Sequence, residues 1–179
     1  MIFNWYETIK DEKDLQQGDF IPDCPIIIPP SKIEEGDEPE IEIKLIDSIV
    51  LSQSCDLIYE KIELVLVCPY YSLKTFLDCL PKDQQSPKDI EKTIENLRKG
   101  YLPSYHLLNN SKEIENLKDY QVVDFRNVYG IQFSLLYEII RNLNNRVRLL
   151  PPYREHLSQS FARYFMRVGL PQDIKIEGY

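Results

Sequence analysis

No stretch of this chain approaches the roughly 18 apolar residues that a membrane-spanning helix needs, so a protein of that kind is excluded. The amino terminus, Met1-Ile-Phe-Asn-Trp-Tyr-Glu, has neither the basic n-region nor the apolar core of a secretion signal. The expected location is therefore the cytoplasm, without a membrane partner. Four cysteines occur (Cys24, Cys55, Cys68 and Cys79), and none lies in a CxxC pair. The strong zinc-ribbon and dithiol redox signatures are thus missing, and in a chain without a secretion signal reduced thiols are expected. Histidine is as scarce, with only His106 and His156. Basic charge is short too: 21 Lys and Arg face 29 Asp and Glu, a formal charge of −8. That balance opposes general nucleic-acid binding, which needs a positive surface against phosphate. There is no internal repeat and no low-complexity tract. Alanine is scarce beside Ile, Lys, Glu and Asn, a bias that reads as genomic rather than functional.

What remains suits one domain of 179 residues, enough for one substantial core. Its charge is unevenly placed. Residues 34–42, EEGDEPEIE, are strongly acidic. From residue 126 onward the basic residues are nearly all arginine, at Arg126, Arg141, Arg146, Arg148, Arg154, Arg163 and Arg167, and between residues 126 and 167 only Glu138 and Glu155 oppose them. Internal pairing with a solvated helix face is one reading; an anionic ligand or acidic partner on the C-terminal half is the other.

Strands are expected first. Residues 1–17 read as irregular, with a short helix at Asp11–Gln17, and Gly18-Asp19 is a turn. Phe20-Ile21-Pro22 begins an extended piece that continues through Cys24–Ile28, where Pro25 marks an edge or a bulge. Ser31–Pro39 is a charged loop. Glu40–Leu45 alternates polar and apolar residues as a half-buried strand does. Ile49-Val50-Leu51 and Leu64–Val67 are short apolar runs suited to central strands, and Tyr120–Phe125 and Arg146–Leu149 supply two more. Helices follow: a short one at Ser72–Leu80, one opened by Ser86 as N-cap with Pro87 first and closed at Gly100, one at Phe133–Leu143, and one at Pro152–Val168. In the last, Leu157, Phe161, Tyr164, Phe165 and Val168 share a face, with Gly169 and Pro171 beyond it.

The order Gly18-Asp19, then Ile49-Val50-Leu51-Ser52, then Val65-Leu66-Val67-Cys68-Pro69 resembles the MazF/PemK family of SH3-like barrels that cut single-stranded RNA. The similarity spans residues 18–72. The family places an Arg-Pro pair before its Val-Leu-Ser strand, and that arginine stabilises the transition state; here Asp47-Ser48 stands there, and an acidic group repels the scissile phosphate. Where the family has a threonine after the later proline, this chain has Tyr70-Tyr71-Ser72. The resemblance thus implies the fold with its chemistry lost. A degenerate, acidic chain of this size also resembles the MazF-like components of type III CRISPR signalling, which a SAVED–Lon protease cleaves and which help hold a sigma factor inactive.

Three groupings carry candidate chemistry. In Ser52-Gln53-Ser54-Cys55-Asp56, Cys55 is a nucleophile if a histidine lies close; otherwise Asp56 caps a turn and Cys55 is a small buried residue. Cys24, Cys55, His106 and His156 form a tetrahedral zinc set only if the fold gathers them. Arg146 and Arg148, at period two on a strand, make a twin guanidinium clamp for an anion, with Arg154, Arg126 and His156 nearby; the acidic loop folded back is the internal alternative. Tyr101, Tyr105, Tyr129, Tyr137, Tyr153 and Tyr164 serve equally for stacking bases or for packing.

The expectation is an α+β fold: a twisted SH3-like barrel over residues 18–71, a helical insertion at 72–100, further strands and a helix at 101–150, and a C-terminal helix at 151–170. The expected function is a non-catalytic binding or regulatory protein in antiviral or toxin–antitoxin signalling. Its partner is a protein (a protease, a sigma factor, or a cognate toxin or antitoxin), loop 31–39 is the exposed segment, and no cofactor is expected. The rival is an endoribonuclease using Arg126, Arg146, Arg148, His156 and His106. A zinc-stabilised module is the third class.

Overall fold

The structure, a computed structural model, describes residues 3–10, 14–34, 36, 38, 40–143 and 145–166. Outside them lie residues 11–13 of the expected first helix, residues 35, 37 and 39 of the charged loop, and Arg167, Val168, Gly169 and Pro171 at the end of the last one. The described chain is α+β, with strands β1 (Tyr6–Lys10), β2 (Phe20–Ile28), β3 (Glu42–Val50), β4 (Leu64–Ser72), β5 (Tyr105–Leu108), β6 (Gln121–Asp124), β7 (Tyr129–Gln132) and β8 (Asn145–Leu149). Between and after them run helices α1 (Ser54–Ile58), α2 (Leu73–Asp78), α3 (Pro87–Arg98), α4 (Phe133–Asn142) and α5 (Tyr153–Phe165).

Helix ends follow local chemistry. The Ser86 hydroxyl accepts the Asp89 N–H at 3.2 Å, so serine caps α3 with Pro87 in its first turn. At the other end Gly100 takes φ +68°, its N–H donates to the Leu97 carbonyl, and the Tyr101 N–H donates to Asn96 at 2.9 Å. That pair of bonds is a Schellman ending, which glycine reaches without steric cost. Ser72 caps α2 in the same way, accepting from the Thr75 N–H at 3.0 Å.

All the ladders are antiparallel. β4 lies at the centre, with β3 against Val67–Pro69 on one edge and β7 and β6 in succession along the other. β2 flanks β3, β5 flanks β6, and β1 pairs with β8. β8 meets the larger sheet at an isolated bridge, Asp19 to Arg148. Among the described residues no ladder returns from β5 or β7 to β1; the sheet is not closed, and these pairings do not confirm the barrel expected from the sequence.

Neighbouring residues of a strand point to opposite faces, and each face has its own core. Ile49, Phe20, Cys68 and Phe125 pack on one side with Leu149 and with Leu157 of α5. Val50, Ile21, Val67 and Val65 pack on the other with Leu57 of α1 and Leu136 and Ile140 of α4. Phe76 and Leu97, from α2 and α3, cover Val122 in a third, smaller cluster.

Several expectations are corrected. Glu40–Leu45 and Ile49–Leu51, read as two strands, belong largely to the single β3. The outer half of β3 is not half-buried: Ile43 and Leu45 are exposed along with Glu42 and Lys44. β1, β5 and β7 lie outside the expected strands: all three are short, β1 and β7 are defined by partners far along the chain, and β5 pairs with the strand that follows it, β6. Asp14–Gln17 is not helical. Instead the Asp14 carbonyl accepts from both Arg146 and Arg148, and the Gln16 N–H donates to the Asp19 carboxylate at 3.0 Å. Those contacts hold the segment around an ionic cluster, against its own helical tendency. On α5, Phe161 and Tyr164 do pack on Phe125, at centroid distances of 5.5 and 6.3 Å, but Phe165 is mostly exposed.

At the junction of the two sheets Asp19 is fully buried between two guanidiniums. Arg146 Nε donates to its Oδ2 at 2.9 Å and Arg148 Nε to its Oδ1 at 2.5 Å. Removing one charge of such a cluster strands the others in a poorly solvating interior. Asp19→Asn, which keeps the shape and deletes the charge, is expected to lower stability by about 3–5 kcal/mol. Urea unfolding checks this; a loss below about 1 kcal/mol would show that the cluster is not structural.

Candidate functional site

The arginines proposed as an anion clamp are turned inward. Arg146 and Arg148 do share a face of β8, but both are buried on Asp19 of their own chain. The internal pairing thus uses Asp19, a residue read from sequence only as part of a turn. Arg126 is occupied as well: Nε and Nη2 hold both oxygens of Asp124 at 2.9 and 2.8 Å, with the guanidinium 4.7 Å from the Tyr105 ring centroid. Arg154 pairs with Glu155 at 2.9 Å.

Ser52-Gln53-Ser54-Cys55-Asp56 is likewise structural in its contacts. The Ser52 hydroxyl accepts the Leu66 N–H at 2.8 Å, and Ser54 accepts the Gln17 N–H at 3.1 Å. Cys55 is exposed, and the polar groups nearest its thiol are Gln53 and Asp56 rather than a histidine. The zinc set is dispersed: Cys24 is buried in the second core, Cys55 lies on α1, and among the described residues no group of three or more potential ligands comes together. Burial pushes the Cys24 thiol up to about 11, and it pushes Cys68 up as well, so both stay protonated at neutral pH.

Two surfaces remain distinctive. The first is the outer part of the β2–β3 ribbon. Ile27 faces Ile43 and Pro25 faces Leu45 across the ladder, on the side away from Ile26. Ile27, Ile43 and Leu45, together with Ile41 beyond them, are each 60–65 % exposed. From Leu45 this face continues into a groove of about 680 Å³ bounded by Asp23, Asp47, Tyr70, Tyr71 and Ser72. No Lys or Arg lines that groove among the described residues. The Asp47 carboxylate is held in place, since it accepts the Asp23 N–H at 3.0 Å. Burial, reinforced by Asp47 and Asp23, raises the Tyr70 phenol and keeps it a neutral donor. Asp47 and Tyr70-Tyr71-Ser72, the positions where the family resemblance puts catalytic groups, therefore do line one groove.

The second surface is a cleft of about 470 Å³ where β5, the last turn of α3 and α5 meet. It gathers both histidines, His106 and His156, although neither set built on them from the sequence survives intact. Trp5, Arg98, Lys99 and Arg163 also line it, and spacing along the chain offers no signal that they would. His106 is half-buried and stacks on Phe125 at 6.3 Å. His156 is exposed, with Tyr153 edge-on at 6.1 Å.

No protein-family model matches this chain and no curated protein matches it, so the MazF/PemK resemblance rests on the residues that suggested it. Among the described residues no helix is long and apolar enough to cross a membrane.

The cleft has one pH-dependent consequence. Burial, and secondarily His156, hold His106 down to about 4. Its folded pKa lies below the ordinary ~6.5, so its neutral form is the one folding favours. The stability it contributes is complete above about pH 6.5 and is lost as pH falls toward 4. Denaturation midpoints measured across that range should fall more steeply for the unaltered protein than for His106→Gln. Parallel curves would mean that His106 does not titrate with folding.

Proposed function

We propose that this chain is a non-catalytic binding protein. It holds a basic, partly apolar segment of a protein partner on the outer β2–β3 ribbon and in the adjoining acidic groove. The observation that carries this is the row of Ile27, Ile43 and Leu45, directed outward at strand spacing and covered by nothing in the described chain. Contiguous exposed apolar side chains of this kind mark interaction surfaces, unlike singly scattered ones. Asp23 and Asp47 at the end of the row, in a chain of charge −8, favour a cationic partner segment.

The SH3-like, MazF/PemK-like reading belongs to the same proposal. In it, Asp47 occupies the place of the family's catalytic arginine, so the groove repels a phosphodiester and accepts a basic side chain instead. A regulatory role in antiviral or toxin–antitoxin signalling, with a protease, a sigma factor or a toxin as the protein held, is consistent with such a surface. The ribonuclease reading has less support. Of its five residues, Arg146 and Arg148 are buried on Asp19 and Arg126 is bound to Asp124, which leaves only the histidines together.

Ile43→Glu and Leu45→Glu test the proposal, because exposed positions tolerate the change at a cost within about 0.5 kcal/mol. Affinity capture from the source cell should recover proteins with the unaltered chain that both variants lose. Identical profiles for all three would remove the ribbon from function. On denaturing gels, single-stranded RNA should stay intact with the unaltered protein; cleavage would overturn the non-catalytic reading.

A further inference from the structure

The cleft between β5, α3 and α5 is unlike the rest of this acidic molecule. Its lining holds Arg98, Lys99, Arg163, His106 and His156, and no carboxylate among the described residues. Glu95 does reach Arg98 and Lys99, each at 2.9 Å, but one carboxylate faces two cations. No carboxylate among the described residues pairs with Arg163, which is exposed on α5. The negative end of α3 points this way too, and the Gly100 and Tyr101 amides take up its Leu97 and Asn96 carbonyls. What remains is a local excess of positive charge in a concave site, the arrangement that concentrates an anion.

The walls say what else the anion carries. Trp5 stands at the cleft, its indole stacked on Tyr153 at 3.6 Å and 9° between planes, so it is braced as a flat wall. Tyr120 adds a second, partly exposed ring, while Asn109, Gln159 and Ser160 supply uncharged donors and acceptors. Flat rings beside cations and neutral hydrogen-bonding groups match a planar heterocycle joined to a phosphate. The volume, about 470 Å³, lies within the roughly 300–1,000 Å³ of small-molecule sites.

We propose that this cleft is a nucleotide-binding site. Arg98, Lys99 and Arg163 take the phosphate, and the aromatic wall takes the base. The inference is independent of the protein-binding surface on the ribbon and stands or falls without it. Its ligand is either a free nucleotide or the same unit within a single strand, since both present one phosphate and one stackable base to these groups.

Trp5 is the only tryptophan of the chain and lines the cleft, so its emission reports occupancy directly. Titrating the intact protein with each of the four ribonucleoside 5′-monophosphates should give a saturable change for at least one, weakened by added salt. Arg163→Ala should reduce that affinity at least tenfold with the circular dichroism unchanged. Arg141→Ala, on α4 and paired with Glu138, should leave it unaltered. A short single-stranded oligoribonucleotide forms the second arm. Tighter binding than the monomer, lost in Arg163→Ala, assigns the site to a strand; preference for the monomer assigns it to a free ligand; both uphold the site. Inorganic phosphate displacing the nucleotide at equal concentration would overturn the role of the aromatic wall. Absence of saturable change with every nucleotide and with the oligomer, or undiminished binding by Arg163→Ala, would overturn the proposal.

Discussion

The structure depends on one carboxylate. Asp19 stands at the junction of the two sheets, its oxygens taken by Arg146 and Arg148 and by the Gln16 amide. Its backbone makes the same junction, because the Asp19 carbonyl accepts from the Val50 N–H and the Gly18 carbonyl from the Leu149 N–H. β8 is thereby tied to the β2–β3 end of the larger sheet through both main chain and charge. Gly18 sits at φ +82°, and a Cβ there would come within 3.0 Å of the Leu149 Cβ, so the close approach requires glycine. A buried ionic cluster of this kind is a poor source of net stability, since desolvation offsets most of its attraction. Its value here is register. A slip of β8 by one residue would carry Arg146 and Arg148 to the opposite face and leave Asp19 without them.

That arrangement also shapes the surface. With Arg146 and Arg148 turned inward and Arg126 bound to Asp124, the C-terminal half shows less positive charge than its composition implies. The cations that stay outside are sorted by tertiary position. Arg163 from α5 and Arg98 and Lys99 from α3 converge on the cleft, whereas the groove beside β3 holds Asp23 and Asp47 and no cation among the described residues. One molecule thus presents two chemically opposed surfaces. The acidic one adjoins the apolar ribbon and suits a basic protein segment; the cationic one is concave, walled by aromatic rings, and suits a nucleotide.

Helices α2 to α5 were legible residue by residue, whereas α1 was not, and the helix expected at Asp11–Gln17 is absent over Asp14–Gln17. Ser86, Pro87 and Gly100 mark the ends of α3, and the 3.6-residue spacing of Leu157, Phe161 and Tyr164 marks the buried side of α5. The apolar run at Ile49-Val50 is buried on both faces, as such a run is expected to be; Leu64–Val67 forms part of the central strand β4, but its alternate residues Leu64 and Leu66 stay exposed. The site was legible only in fragments. His106 and His156 stood out by rarity, but Arg163 entered only as one of several arginines, and Trp5 and Lys99 carried no signal at all. The alternation over Glu40–Leu45 announced a strand with an apolar face, and nothing in it told whether the chain itself would cover that face.

The amino-acid sequence alone was enough to place the ends of α3, the buried side of α5 and the interior strand at Ile49-Val50. These depend on contacts within a few residues or on side-chain identity alone. The fold in three dimensions was needed to show that Arg146 meets Asp19, 127 positions away, that the Ile43–Leu45 face stays bare among the described residues, and that α3, β5 and α5 bring three cations and both histidines to one cleft. Burial and ion pairing are properties of neighbours in space, and a linear pattern records which side chains are available without recording which of them meet.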